Sequence, residues 1–193
     1  MFYMRFFGPE ASLVINRGKL PHWRQEGVIY FVTFHLANSL PQTTLEWLRR
    51  EKELWLRLNP EPHTESQRRQ YHERFTETVN RWLDAGHGRC ILAQAECKAI
   101  MESSLTHFDG VRYELGEFVV MPNHVHAIVA PIGEHELTRI LQNWKSFSAH
   151  QFNRVLASSG CIWHRESFDH IVRSAEHLLK FETYIRNNPK PKK

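Results

Sequence analysis

The segment Glu117 to Pro131, EFVVMPNHVHAIVAP, constrains the fold more than any other stretch of the chain. Two apolar runs, Phe118-Val119-Val120-Met121 and Ala127-Ile128-Val129-Ala130, flank Pro122-Asn123-His124-Val125-His126. Runs this apolar and β-branched read as buried strands, and Pro-Asn between them reads as a turn, which makes the pair antiparallel. Side chains alternate along a strand, so His124 and His126 share one face while Val125 takes the other. Two imidazoles side by side are either polar residues on a solvated face or two ligands of one metal. With 13 His in 193 residues, the pair alone does not decide between them.

The rest of the chain supplies elements around that strand pair. Residues 1 to 27 read as irregular, punctuated by Gly8, Pro9, Gly18, Pro21 and Gly27. Val28 to Leu36 (VIYFVTFHL) reads as a central strand, apolar enough to be covered on both sides. Thr43-Thr44 offer an N-cap for a helix reaching about Leu58, and Ser66 to Asp84 gives a second, very polar helix closed by Ala85-Gly86-His87-Gly88. Its mixed charge is that of a solvated face. Helical periodicity returns at Ile91 to Phe108, and Val111 to Met121 is a strand with an irregularity expected at Gly116. After the His-x-His strand come a long helix from Glu136 to Leu156 and a short apolar run, Phe168 to Val172. The last helix is capped by Ser174 and reaches about Asn188 before Pro189.

Without the arm at residues 42–88 the order is β-α-β-β-α-β, the ferredoxin-like split βαβ pattern. The expected fold class is α+β: an antiparallel sheet with helices on one face, the helical insertion after the first strand, and a C-terminal helix. One domain, residues 1–193, accounts for the length. A 41% hydrophobic content with twelve Phe and six Trp supports a real core, and a net charge of +4 is compatible with a polyanionic partner without requiring one. Cys90, Cys97 and Cys161 form no Cys-x-x-Cys pair and fit a reducing compartment. The opening MFYMRFFGPE is a poor signal peptide, and no run approaches the ~18 apolar residues of a membrane span. The expectation is a cytoplasmic protein that does not enter membranes.

A second pair bears on the first. Tyr184 and Asn188, in FETYIRNNP, fall at i and i+4 and so on one face of the last helix. Tyr184 is the candidate nucleophile and Asn188 a candidate oxygen donor to a metal; packing residue and helix stop are their ordinary readings. The combination of His124-Val125-His126 with Tyr184 and Asn188 resembles the single-tyrosine HUH (IS200-like) transposases, and within them the REP-associated tyrosine transposases. LPHWRQEGVIYFVTFHL (20–36), VVMPNHVHAIV, WKSF (144–147), WHRESFDHIVR (163–173) and YIRNNP carry the resemblance over most of the chain.

The resemblance implies a metal-dependent endonuclease and strand transferase acting on single-stranded DNA at hairpin-forming, REP-like repeats. His124, His126 and Asn188 would then hold one divalent cation, Mg²⁺ or Mn²⁺. Tyr184 would attack the phosphodiester, leaving a 5′-phosphotyrosine link and a free 3′-hydroxyl. The covalent link conserves the phosphodiester energy for rejoining. Arg139, Lys145, His150 and Arg154 on the long helix are candidates for phosphate contacts. Trp163, with His164 and Arg165, is a candidate for stacking on or clamping a base, and Lys190 in the basic tail for gripping a backbone. Relatives exist as monomers and as homodimers, and both remain open. Two other readings stand: a domesticated, cleavage-silent binder of DNA hairpins, and a metal hydrolase using the His pair on another substrate. The hydrolase reading lacks a carboxylate that the sequence places beside the pair.

Overall fold

A computed structural model describes residues 6, 8, 14–17, 21–25 and 27–188. Residues 14–17 and 21–24 correct the sequence reading. Where an irregular segment was expected, β1 (Val14–Arg17) and β2 (Pro21–Arg24) pair antiparallel, Val14 opposite Arg24. Strands of four residues offer two positions per face, too few for alternation to register. Next comes β3 (Tyr30–His35), buried along its whole length. Three helical segments follow: α1 (Gln42–Leu58), α2 (Glu65–Tyr71) and α3 (Glu77–Asp84), the last two joined through one π-helical turn. The expected threonine cap is absent from α1. Pro41 occupies the N-cap position, and its carbonyl accepts from the Thr44 and Leu45 amides.

The chain continues through α4 (Ala95–Thr106), β4 (Tyr113–Val120), β5 (His124–Pro131), α5 (Leu137–Val155), β6 (Phe168–Ile171) and α6 (Ala175–Arg186). Ser174 caps α6 by accepting from the His177 amide, as read from the sequence. The main sheet has the order β4-β5-β3-β6 with every neighbouring pair antiparallel. Numbered by chain order within this sheet, the strands run 2-3-1-4, the split βαβ arrangement. The register shifts between Leu115 and Phe118, at the expected irregularity. A Cβ on Gly116 would lie 3.0 Å from Ile128 Cγ2.

Alternation along β3 and β5 divides the core into two layers. Tyr30, Val32, Phe34, Val125, Ala127 and Val129 meet the apolar faces of α4 and α5. On the other face Ile29, Phe31, Ile128 and Ala130 meet Phe181 and Ile185 of α6. His124 and His126 belong by parity to the α6 face. Register sets Thr33 opposite His126 and His35 opposite His124. The arm, α1 to α3, has its own core of Leu48, Trp55, Tyr71, Phe75, Val79 and Leu83, completed by Phe168 of β6. Lys52 is buried at that junction, with its ammonium 4.8 Å from the centre of the Phe168 ring. Among the described residues no helix is long and apolar enough to cross a membrane.

The arm returns to the sheet through Gly88, whose φ of +82° favours glycine and whose added Cβ would lie 2.0 Å from the Asn38 carbonyl oxygen. Gly88→Ala therefore strains the backbone and collides with main chain that cannot rotate away. We expect it to destabilise the protein by at least ~2 kcal/mol, read as a lower denaturant midpoint at unchanged slope.

Candidate functional site

Both imidazoles are fully buried yet aim at one point. Their Nε2 atoms stand 2.9 Å apart. Each ring is held by its other nitrogen: His124 Nδ1 lies 2.7 Å from Asn123 Oδ1, and His126 Nδ1 lies 2.7 Å from Thr33 Oγ1. Asn123 donates from Nδ2 to the His87 carbonyl, 2.9 Å away, so its Oδ1 is the acceptor. The His124 proton therefore sits on Nδ1, and Nε2 keeps a lone pair. Burial is the first cause that lowers both pKa values, His126 the further of the two, with His124 beside it as a second cause. Both rings are neutral at pH 7, the form that binds metal.

The structure adds a residue that the sequence did not single out. Asp84, the last residue of α3, puts Oδ1 3.5 Å from His124 Nε2. With His124 neutral this contact is not an ion pair. Asp84, His124 and His126 each offer one ligand atom, all within 4.8 Å of one another. The carboxylate thought missing beside the pair is therefore present. It comes from a polar helix end 40 positions earlier, which no local pattern marks.

Tyr184 closes the group from α6. Its hydroxyl donates to Asp84 Oδ2 at 3.0 Å and lies 3.4 Å from His126 Nε2. Burial raises the phenol's pKa, and the charge of Asp84 raises it further, while Asn188 pulls the other way. The hydroxyl is thus neutral in this arrangement. The expected helical i, i+4 relation between Tyr184 and Asn188 is altered: α6 ends at Arg186, and the Asn188 amide donates to the Ile185 carbonyl. A residue before proline is steered away from helical geometry, which explains the early stop. The turn nonetheless buries the Asn188 side chain.

The donor set fits a divalent cation. Two neutral imidazole nitrogens 2.9 Å apart have about the spacing of adjacent ligands on an ion bound at ~2.1 Å in octahedral geometry. A carboxylate supplies charge, and polar partners behind each histidine fix its ring, as metal-ligating histidines require.

The candidate DNA contacts lie elsewhere. Arg139 and Arg154 are exposed on α5, on the sheet face away from the histidines, and Arg165 is exposed in the loop before β6. Lys145 caps that loop, its Nζ donating to the carbonyls of His164, Arg165 and Glu166, and burial lowers its pKa to about 8. Trp163 is 4% exposed, packs edge-on against Phe34, and donates its indole N–H to Ser148 Oγ. Lys190 lies outside the described residues. Asp84, His124, His126, Tyr184 and Asn188 are thus brought together; the basic and aromatic candidates are not.

A family model described as transposase IS200-like matches residues 92–188, a span containing the His pair, Tyr184 and Asn188 but not the arm. No curated protein matches the sequence. Among solved structures, a REP-associated tyrosine transposase bound to a REP hairpin is similar at a TM-score of 0.45 and 17% identity, over 90% of this chain and 73% of that one. A presumed transposase from Deinococcus radiodurans R1 gives 0.42 and 12%, over 95% and 97%. Likenesses at these scores add no argument of their own.

His35, opposite His124, bears on acid stability. It is fully buried, and burial followed by the charge of His164 lowers its pKa to about 3. Between pH 6.5 and 3 the unfolded chain binds a proton that the folded one refuses, so stability falls as pH falls. The loss reaches up to about 5 kcal/mol by pH 3. Urea titrations in chelator from pH 7 to 4 should give a steadily falling midpoint, and a shallower fall for His35→Phe.

Proposed function

The chain belongs to the IS200-like transposase family, and from that premise we propose a metal-dependent single-stranded DNA endonuclease and strand transferase. It acts at hairpin-forming repeats, as its resemblance to the REP-associated branch implies, through a 5′-phosphotyrosine intermediate. The observation that carries the reading is the meeting of the Tyr184 hydroxyl with the His pair, 3.4 Å from His126 Nε2, although the two come from elements 58 positions apart. A solvated His-x-His face would have no reason to be buried, ringed by fixed partners and closed by a phenol.

His124 and His126 would hold the cation through Nε2, with the side-chain oxygen of Asn188 completing the protein's share and the charge of Asp84 beside it. Mg²⁺ or Mn²⁺, when bound, supplies Lewis-acid polarisation of the scissile phosphate. Thr33 and Asn123 keep the imidazoles in place, so that no reorganisation is needed when the phosphate arrives. Tyr184 is the nucleophile: its oxygen bonds to phosphorus and the bond to the 3′ oxygen breaks. A covalent ester retains the energy that rejoining needs, which attack by water would dissipate.

Exposed Arg139, Arg154 and Arg165 are available to phosphates, and their distance from the His face suits them to the hairpin rather than to the scissile bond. Lys145 and Trp163 contribute by holding the loop that carries Arg165. We read residues 1–193 as one catalytic domain with the arm, 42–88, built into it, working in the cytoplasm.

With Mn²⁺ and a hairpin oligonucleotide carrying a single-stranded flank, the wild type should yield a protein–DNA adduct stable to denaturing electrophoresis. Tyr184→Phe should yield none and still bind the hairpin within about threefold. His126→Ala should lower adduct formation by at least ~100-fold and abolish measurable Mn²⁺ binding. Equal hairpin binding without cleavage by the wild type would instead identify a silent binder.

A further inference from the structure

We propose that Asp84 is a catalytic residue of this centre: it takes the proton of Tyr184 as the phenol oxygen attacks, so that the arm completes the active site. The inference rests on the nuclease reading above and deepens it by naming the proton acceptor.

Geometry singles out the carboxylate. Tyr184 donates to Asp84 Oδ2 at 3.0 Å, whereas His126 Nε2 is farther, at 3.4 Å, and already faces His124 Nε2 at 2.9 Å. A histidine whose lone pair is aimed at a shared cation is not available as a base. Asn188 is an amide and cannot accept a proton at neutral pH. Oδ1 of the same carboxylate faces His124, which leaves Oδ2 for the phenol.

Asp84 is also held as a reacting group must be. Leu83, its neighbour, is fully buried in the arm core, and the Leu83 carbonyl accepts from the Gly86 amide. Three residues on, the His87 carbonyl is held by Asn123, the residue that orients His124. Gly88 then fits against the Asn38 main chain. The backbone on either side of the exposed Asp84 is thus tied to the arm core and to the residue that orients His124.

The step balances as follows. The Tyr184 oxygen forms a bond to phosphorus while its proton passes to Asp84 Oδ2. The bond from phosphorus to the 3′ oxygen breaks, the electron pair leaves with that oxygen, and solvent water protonates it. In rejoining, a 3′-hydroxyl attacks the phosphotyrosine and gives its proton to solvent water, the bond from phosphorus to the Tyr184 oxygen breaks, and protonated Asp84 returns the proton to the departing phenol oxygen.

The test uses the full chain, saturating Mn²⁺ and single-turnover adduct formation on a hairpin with a single-stranded flank. Asp84→Asn should slow the step by roughly 100-fold or more. Incorporating a fluorinated, more acidic tyrosine at position 184 should recover roughly tenfold of that loss, because such a phenol needs less help in losing its proton. Asp84→Ala should lose rate similarly and regain it in part when acetate is added. Mn²⁺ affinity, read by paramagnetic relaxation, should stay within about tenfold of wild type. Four results overturn the inference: an Asp84→Asn rate within threefold of wild type, a loss cured by raising Mn²⁺, no recovery with fluorinated tyrosine, or no recovery with acetate. A wild type that forms no adduct overturns the nuclease reading, and this inference with it; a wild type that does, beside an unimpaired Asp84→Asn, overturns this inference alone.

Discussion

One side-chain amide ties the candidate site to the fold at both of its ends. Asn123 presents Oδ1 to His124 and Nδ2 to the His87 carbonyl, and its own carbonyl accepts from Ser39 Oγ and from the Leu36 amide. The turn between β4 and β5 is thereby fastened to the end of β3 and to the exit of the arm. Removing that amide would free the His124 tautomer and, at the same time, the turn that follows Asp84. In a buried setting, hydrogen bonds of this kind fix position more than they add net stability, since each replaces one made to water.

The surrounding layer explains why the site can afford two buried imidazoles. The opposite face of β3 and β5 is an uninterrupted apolar layer against α4 and α5, so the sheet does not depend on the His face for its core. On the His face, Phe31 stacks against both His126 and Phe181, so the apolar core under α6 continues up to the site. Burial keeps them neutral, the form in which imidazole binds metal.

How much of this was legible follows from the range of each interaction. His124 with His126, and Tyr184 with Asn188, are short-range patterns that alternation and helical spacing expose, and the order of strands and helices follows from the same periodicities. Asp84 was not legible because its partners lie 40 and 100 positions away, and because the helix end that carries it reads as solvated. Lys145 and Trp163 have partners that no short-range pattern marks. A basic residue on an exposed-looking helix suggests phosphate, and a tryptophan before a strand suggests stacking. The actual partners, three loop carbonyls and Ser148 Oγ, appear only once the 164–166 loop is folded back on α5. The four-residue strands β1 and β2 are too short to leave a period.

The division of labour between the two parts of the site has a physical rationale. The family match covers the His pair, the tyrosine and the asparagine, and stops short of the arm. A carboxylate beside a phenol raises its pKa, so Asp84 works against a preformed phenolate. Under the proposed mechanism it favours a neutral hydroxyl that loses its proton only as the bond to phosphorus forms, the situation in which a positioned general base contributes. A nucleophile kept neutral until a phosphate is in line does not attack in its absence. That restraint suits the activity proposed above, in which the product is an ester to be reversed later.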